Sequence, residues 1–593
     1  MSATWLAALL LWAGLPVVEV DRAPFEIRES SRVIITAETL ADPDGRGAIR
    51  IIGDGLTIEL DDDAVLRGAA ADTDPDQMTG IAIVITGEDV TLRGGTISGY
   101  KVGVHARGAD RLTIEGVTLR DNFRERLFSK PWREDERDRL EWRQNDDGEW
   151  MRRYGGGIVV EDASGVTIRN VRVRETQNGI LFDRVHESRV YDNDASFLSG
   201  WGIALWRSSG NTISHNAFDF CVRGDGHRVD NRGHGAAAVL LTEQSSQNVV
   251  AINSLTHGGA GIICDAGDEA VGRTNPRDDT GWYAERGSNE NVLLLNEIAD
   301  AITYGIELSF CRGTMILRNQ INRNATAGVR GRFVHGSVIM RNELEANGLA
   351  PADGRTPGAI ALSNGSENHI RQTWSKRNSV GLSIWSDPND PDHPREDLPW
   401  FMANPTEATG NTIGSNRFEE DGLGMRLDRL AETAIRGNEF FEFEDDTMMV
   451  MDEHTQQTVR RLSDPSIPGF TWPSPPLPGV KEPRFQRTPL RGRDHIVMLE
   501  WGPYDWSRPV ARRSQPPADR LEYEVYGLKS ESIDFDLTGA RLLMHEHDRT
   551  SAGHHVHRLV IERVSDAEAS YRIRAEDDEG NTLEHAGRFD AAE

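Results

Sequence analysis

Three carboxylates, Glu243, Asp265 and Glu307, recur at comparable places in a repeating pattern. The repeat is a glycine followed by alternating apolar residues, as in Gly179-Ile180-Leu181-Phe182, Gly202-Ile203-Ala204-Leu205 and Gly305-Ile306-Glu307-Leu308. With the glycine as position zero, strand alternation turns positions two and four outward. Position four reads Asp183, Trp206, Asp265, Ser309 and Arg332; position two reads Leu181, Ala204, Leu241, Ile263, Glu307 and Arg330. One repeat lacks the glycine. There a ruler of nine residues from glycine to the next apolar triplet places Glu243 at position four. The three acids are therefore expected on one face, with backbones about 5 Å apart for Glu243 and Asp265 and about 8 Å apart for Asp265 and Glu307. Crowded carboxylates separate their pKa values, which leaves one protonated acid beside one charged group. That is the equipment of acetal cleavage, as in glycoside hydrolysis. Glu307, beside Tyr304, is the expected acid. Asp265 is the expected base or nucleophile, with Glu243 tuning either one. Arg330 and Arg332 would orient hydroxyls or an acidic substituent. Trp201 and Trp206 would stack on a sugar ring, and Asp183 continues the column. Proton abstraction beside a uronate carboxylate would instead draw on Arg330, Tyr304 or His257. The trio could also hold calcium, which takes carboxylate oxygens; no cofactor is otherwise required. The plain alternative is an ordinary solvated face.

The elements that must position these residues are short strands. Asparagines at 170, 193, 216, 253, 296, 319, 342, 416 and 438 each follow an apolar triplet, with an undisturbed spacing of 23. Such a period, without a sustained helical stripe, predicts a solenoid of stacked coils. The repeated Asn suits a turn where its side chain bonds to backbone or to the next Asn. Asn211-Thr212-Ile213-Ser214-His215-Asn216, Asn411-Thr412-Ile413-Gly414-Ser415-Asn416 and the Gly-Ile strands resemble the right-handed parallel β-helix proteins of the pectate lyase-like superfamily. The resemblance implies an all-β right-handed solenoid and carbohydrate chemistry. The readings, in order, are a glycoside hydrolase, a polysaccharide lyase or C5-epimerase, and a non-catalytic carbohydrate-binding protein.

Insertions at 122–155, 221–236, 265–287 and 386–409 break the period, and loops on a rigid scaffold are where sites are built. His227, His234 and Asp225 in the second of these form a weak metal candidate. The expected organisation is a signal peptide at 1–20, a β-helix at 21–461, a proline-rich linker at 462–493 and a small β-sandwich-like domain at 494–593. In that last part, His545 and His547 would share one strand face and His555 and His557 another. Such a hairpin could hold a metal, although a solvated hairpin is the plainer expectation.

Composition narrows the functions. Across 593 residues the formal charge is -29, which repels a phosphate backbone and an anionic membrane surface. The expected partner is a polysaccharide or oligosaccharide, not nucleic acid. The one long apolar run, Trp5 to Val18, is too short for a membrane span and fits export, hence a secreted or periplasmic protein. Three cysteines give no disulfide framework; Cys264 is expected to point inward. No lysine lies between 131 and 375, so arginines must supply the cations of the central repeats.

Overall fold

A computed structural model describes residues 14–224, 233–350, 358–388, 398–443, 448–461, 467, 470–479, 490–516, 518, 520–531, 533–551, 553–564 and 570–589. His227 and Asp225 of the weak metal candidate lie outside these residues, as do residues 1–13 of the apolar run.

The alternating strands stack in parallel as a right-handed β-helix. Its three sides are a sheet of sixteen strands, a sheet of fifteen, and a third side in blocks of five and seven. The two blocks are joined through Ala217, which bridges to both Asp194 and Ser254. The first paired strand is Val17–Val20, against Ser31–Ile35, so the ordered ladder reaches into the segment expected as a signal peptide. Inside the coils, equal positions stack on equals. Ile158, Ile180, Ile203, Val239, Ile262, Ile306, Val329 and Ile360 form one register column of buried side chains. β-branched residues suit this work because they fill the space between parallel strands without χ1 freedom to lose. Glycine opens these strands because the chain enters against its neighbour. A Cβ on Gly305 would meet the Gly328 carbonyl oxygen at 2.6 Å.

The repeated asparagines do what their spacing predicts. Asn193, Asn216, Asn253, Asn296, Asn319 and Asn342 form a buried ladder in which each Nδ2 donates to the next Oδ1 at 2.9 to 3.1 Å. Each side chain also satisfies a bend carbonyl, as Asn253 does for Ile213 at 3.0 Å. A second ladder runs through Asn211, Asn248 and Asn291, and a third through Asn324, Asn347 and Asn378. Buried backbone groups at each bend thus find partners without water.

Beyond the coils, the proline-rich stretch lies along the solenoid. Ile467, Phe470, Trp472 and Leu477 pack on Ala251, Leu294, Leu317, Val338 and Met340 of the sixteen-stranded sheet. The Arg318 and Arg341 guanidiniums each lie 4.9 Å from the Trp472 ring. The C-terminal part packs a four-stranded antiparallel sheet on a three-stranded one, with Leu521, Tyr523, Leu559, Ile561, Tyr571 and Ile573 between them. It docks beside the coils: Leu127 donates to the Glu500 carbonyl, and Ile496 and Met498 join Phe220, Val222 and Ile302 in one cluster. No helix among the described residues is long and apolar enough to cross a membrane.

Asn253 makes ladder bonds on both sides, so Asn253→Ala orphans buried groups in two coils. A loss of about 2–4 kcal/mol is expected, read as a lower urea midpoint. Asn438→Ala, at the half-buried end of its ladder, is expected to cost less.

Candidate functional site

The fifteen-stranded sheet carries the acids. Its strand pairing sets two outward columns. One runs Asp183, Trp206, Thr242, Asp265, Ser309, Arg332, Ser363 and Trp385. The other runs Leu181, Ala204, Leu240, Ile263, Glu307, Arg330 and Ala361. Asp265 and Glu307 are brought together on adjacent strands, two residues apart along the strand direction, as the alternation predicts.

Glu243 departs from the ruler. Thr242 holds the place in Asp265's column, and Leu240 rather than Leu241 faces outward; Leu241 is core. The cause is local. Most bends after this sheet use one left-handed residue, such as Arg184, Arg207, Phe310 or Phe333. This coil spends two, Glu243 and Gln244, at φ of 48° and 66°. Counting back from Asn248 therefore overshoots by one. Glu243 sits in the bend, buried, with its Oε2 accepting the Glu269 N–H at 3.3 Å. Burial pushes its carboxyl up to about 7, against the pull of Arg207.

Asp265 is almost fully enclosed and accepts the Gly267 N–H at 2.8 Å. The Arg143 guanidinium reaches within 3.6 Å of its other oxygen. Glu307 is half-buried. Burial first, and then the charge of Asp265, raise its pKa, while Arg330, Arg143 and Arg332 pull the other way. Arg330 is Glu307's neighbour on the next strand; its Nη1 donates to the Gly331 carbonyl at 2.6 Å and lies 3.2 Å from Ser363 Oγ. Its guanidinium is 5.1 Å from the Trp385 ring. Arg332 follows beside Ser309, with its guanidinium 5.6 Å from the Phe310 ring. Tyr304, half-buried, opens the strand that carries Glu307.

Two walls flank this strip, and both come from insertions. The 122–155 insertion folds a short helix, Glu149–Tyr154, onto the earlier coils. Trp150 packs on Trp201 and Trp206 at 4.9 and 5.5 Å between ring centres. The same insertion supplies Arg143. Opposite, the helices Asp268–Val271, Thr280–Tyr283 and Pro399–Ala403 pack together over Phe310 and Phe333.

Several expected contributors stand elsewhere. Trp201 and Trp206 face outward but are buried beneath the insertion, so they anchor the wall and offer no stacking surface. Asp183 is three strands from Asp265 in the same column, bonded to Asn145 at 3.2 Å and beside Arg184. Burial raises it to about 7. His257 lies on another side of the helix, stacked on Phe220 and 3.1 Å from the Gly492 carbonyl, where it holds the C-terminal segment. His234 pairs with Glu134 of the insertion. Cys264 points inward as expected, with its sulfur 3.4 Å from that of Cys311. Arg143 was not singled out by the repeat because it lies in an aperiodic insertion; Trp385 stands at position four after Gly381, where the same ruler finds it.

The acids that could share a cation are not the expected trio. Among the described residues, Glu419, Glu420 and Glu442 have carboxylate oxygens within 4.8 Å of one another. Glu419 is already paired with Lys376 and Arg417, each at 2.8 Å. A separate cavity of about 370 Å³, lined by Arg126, Trp132, Trp501, Arg512, Tyr523 and His585, sits between the first insertion and the C-terminal part, away from Asp265.

Residues 139–275 match the family described as periplasmic copper-binding protein (NosD), a stretch well under half of the chain. No curated protein sequence matches the chain. Similar solved structures include the Dettilon tailspike protein gp208, at 12% identity and TM-score 0.38, covering 91% of this chain and 84% of that one. The A-module of the Azotobacter vinelandii mannuronan C-5 epimerase AlgE6 has 12% identity and TM-score 0.34, covering 75% and 92%. The catalytic unit of a GH87 α-1,3-glucanase from Streptomyces thermodiastaticus strain HF3-3 has 13% identity and TM-score 0.38, covering 60% and 64%.

The raised Glu243 carboxyl has a consequence for stability. A group held protonated by the fold favours the folded state below its ordinary pKa near 4.5 and loses that advantage as pH rises through about 7. Glu243→Gln is therefore expected to match the parent protein at pH 4 and to melt higher at pH 8, by up to about 3 kcal/mol. Thermal melts at the two pH values measure it.

Proposed function

We propose that the chain is a polysaccharide-active enzyme, exported from the cytoplasm, that hydrolyses glycosidic bonds in the trough above Asp265 and Glu307. The observation that carries this reading is the placing of two neighbouring carboxyls on one outward face, with Glu307 held above its ordinary range. Glu307 is raised by burial and by the charge of Asp265. Asp265 is tied to a backbone N–H and faces Arg143. Glu307 in its acid form gives its proton to the glycosidic oxygen as the bond to the anomeric carbon breaks. Asp265 accepts a proton from the attacking water, or attacks the anomeric carbon itself and is then released by water that Glu307 deprotonates. Arg330 and Arg332 bind substrate oxygens along the strip, and Trp385 offers an apolar ring beside Arg330. Three guanidiniums around the pair favour a glycan with acidic substituents.

That cationic setting also supports a second reading, elimination from or epimerisation of a uronate. There Arg330 would neutralise the substrate carboxylate and Tyr304 would move the proton. One screen separates the two. Neutral and uronic polysaccharides are incubated with the protein, and both reducing ends and the ultraviolet absorbance of an unsaturated uronate are followed. New reducing ends without that absorbance mean hydrolysis; absorbance means elimination. If neither appears, deuterium taken up at C5 from D2O means epimerisation, and binding without that uptake means a carbohydrate-binding protein.

On a cleaved substrate, Glu307→Gln and Asp265→Asn are each expected to lower kcat by about 10³-fold or more, with little change in KM. Glu243→Gln is expected to stay within about 10-fold of the parent, because its side chain serves the bend. Arg143→Ala removes a cation that favours the charged form of Glu307. The alkaline limb of the pH–rate profile should therefore move up, by about half a unit to one unit.

A further inference from the structure

The C-terminal sandwich holds a row of imidazoles that the solenoid site does not use. In its four-stranded sheet, Arg520–Tyr526 pairs with His555–Arg563, which pairs in turn with Ala540–Arg549. Register partners share a face in an antiparallel pair. Leu521, Tyr523 and Val525 face the core, so Ile561, Leu559 and His557 do too. His557 therefore takes the next inward place after Leu559, and it is fully buried. On the neighbouring strand His547 stands opposite His557, and His545 opposite Leu559. His545 Nε2 is 3.1 Å from His557 Nδ1, and His547 Nε2 is 2.8 Å from His555 Nδ1. Ring centres are 5.3 Å apart for His545 and His557 and 5.2 Å apart for His547 and His557.

The His545–His557 separation is that of two ligands on one small ion, whereas the nitrogens of His545, His547 and His557 do not all lie within 4.8 Å of one another, so His547 has to move to join the pair. Bonds of about 2.0–2.1 Å to a tetrahedral ion put two imidazole nitrogens about 3.3 Å apart and their ring centres about 5 Å apart. We infer that this face of the sandwich binds one divalent transition-metal ion through His545, His547 and His557, with His555 bonded to His547 as the partner that orients it. His557 anchors the ion from the core. His547, exposed, shifts to offer its Nδ1 to the ion while its Nε2 stays with His555. Phe535, 5.2 Å from the His545 ring, forms an apolar wall. Three imidazoles select ions of the zinc, copper and nickel class over calcium or magnesium.

The test uses the full chain without an affinity tag, stripped by a chelator and titrated with Zn2+ by calorimetry, and with Co2+ by visible absorption. One Zn2+ per chain is expected with a Kd of about 1 µM or below, and Co2+ should develop the absorption of a four-coordinate site of three nitrogens and one water. His545→Ala and His547→Gln are each expected to weaken binding by about 30-fold or more. His555→Ala should weaken it by about 3- to 10-fold, in line with an orienting role. His547 is exposed, so its variant keeps the fold and carries the test if His557→Gln does not fold. Glu420→Gln should leave Zn2+ uptake unchanged. Absence of saturable Zn2+ binding by the parent chain, or equal binding by His547→Gln, overturns the proposal. Neither result bears on Asp265 and Glu307.

Discussion

Parallel stacking at one strand spacing is the constraint on which the molecule depends. Each coil must present its backbone groups to the coils before and after it, so its bends must fall at the same places every time. A bend buries carbonyls and N–H groups that no strand can reach. The asparagine ladders resolve this, because one amide donates to a bend carbonyl of the preceding coil and to the next asparagine while accepting from the coil before. A buried amide with all its groups engaged costs little, whereas a half-satisfied one costs much. The ladders thus stabilise the coils and also hold register. Register decides everything on the surface, because a slip of one residue exchanges inside for outside.

The bend at Glu243 shows that rule at work. A single additional left-handed residue is absorbed there without disturbing Val239 or Val250, which stay in their columns. The insertion is confined to the corner, where there is no pleat to disrupt. Its effect is to move a carboxyl off the working face and into a buried corner beside Arg207. Two acids are left on the outer face where three were expected.

The insertions work differently. They have no register to obey and are held by apolar anchors instead. Trp150 sits on Trp201 and Trp206, and Trp400 packs edge-on against Phe310 and Phe333. Tryptophans on the outer face of a sheet look from the sequence like surfaces for a sugar. Here they are the footings of a wall, and a wall built on them can carry an arginine across several strands to Asp265. Desolvation is the first cause of Glu307's shift, ahead of the charge of Asp265. The coil without its insertions would be an open, hydrated strip.

The sequence by itself determined the solenoid, the inward columns, the asparagine ladders and the adjacency of Asp265 and Glu307. These follow from local periodicity, and stacking repeats the same local geometry coil after coil. It also placed His545 with His547 and His555 with His557, because alternation is a property of the single strand. Only the tertiary structure decided that Glu243 leaves the face, that Trp201, Trp206 and Asp183 are covered, that His257 belongs to the docking of the C-terminal segment, and that Arg143 reaches Asp265. Each of these depends on where an aperiodic segment lies in space. That is set by which distant apolar surfaces it can bury, a quantity that no spacing along the chain encodes.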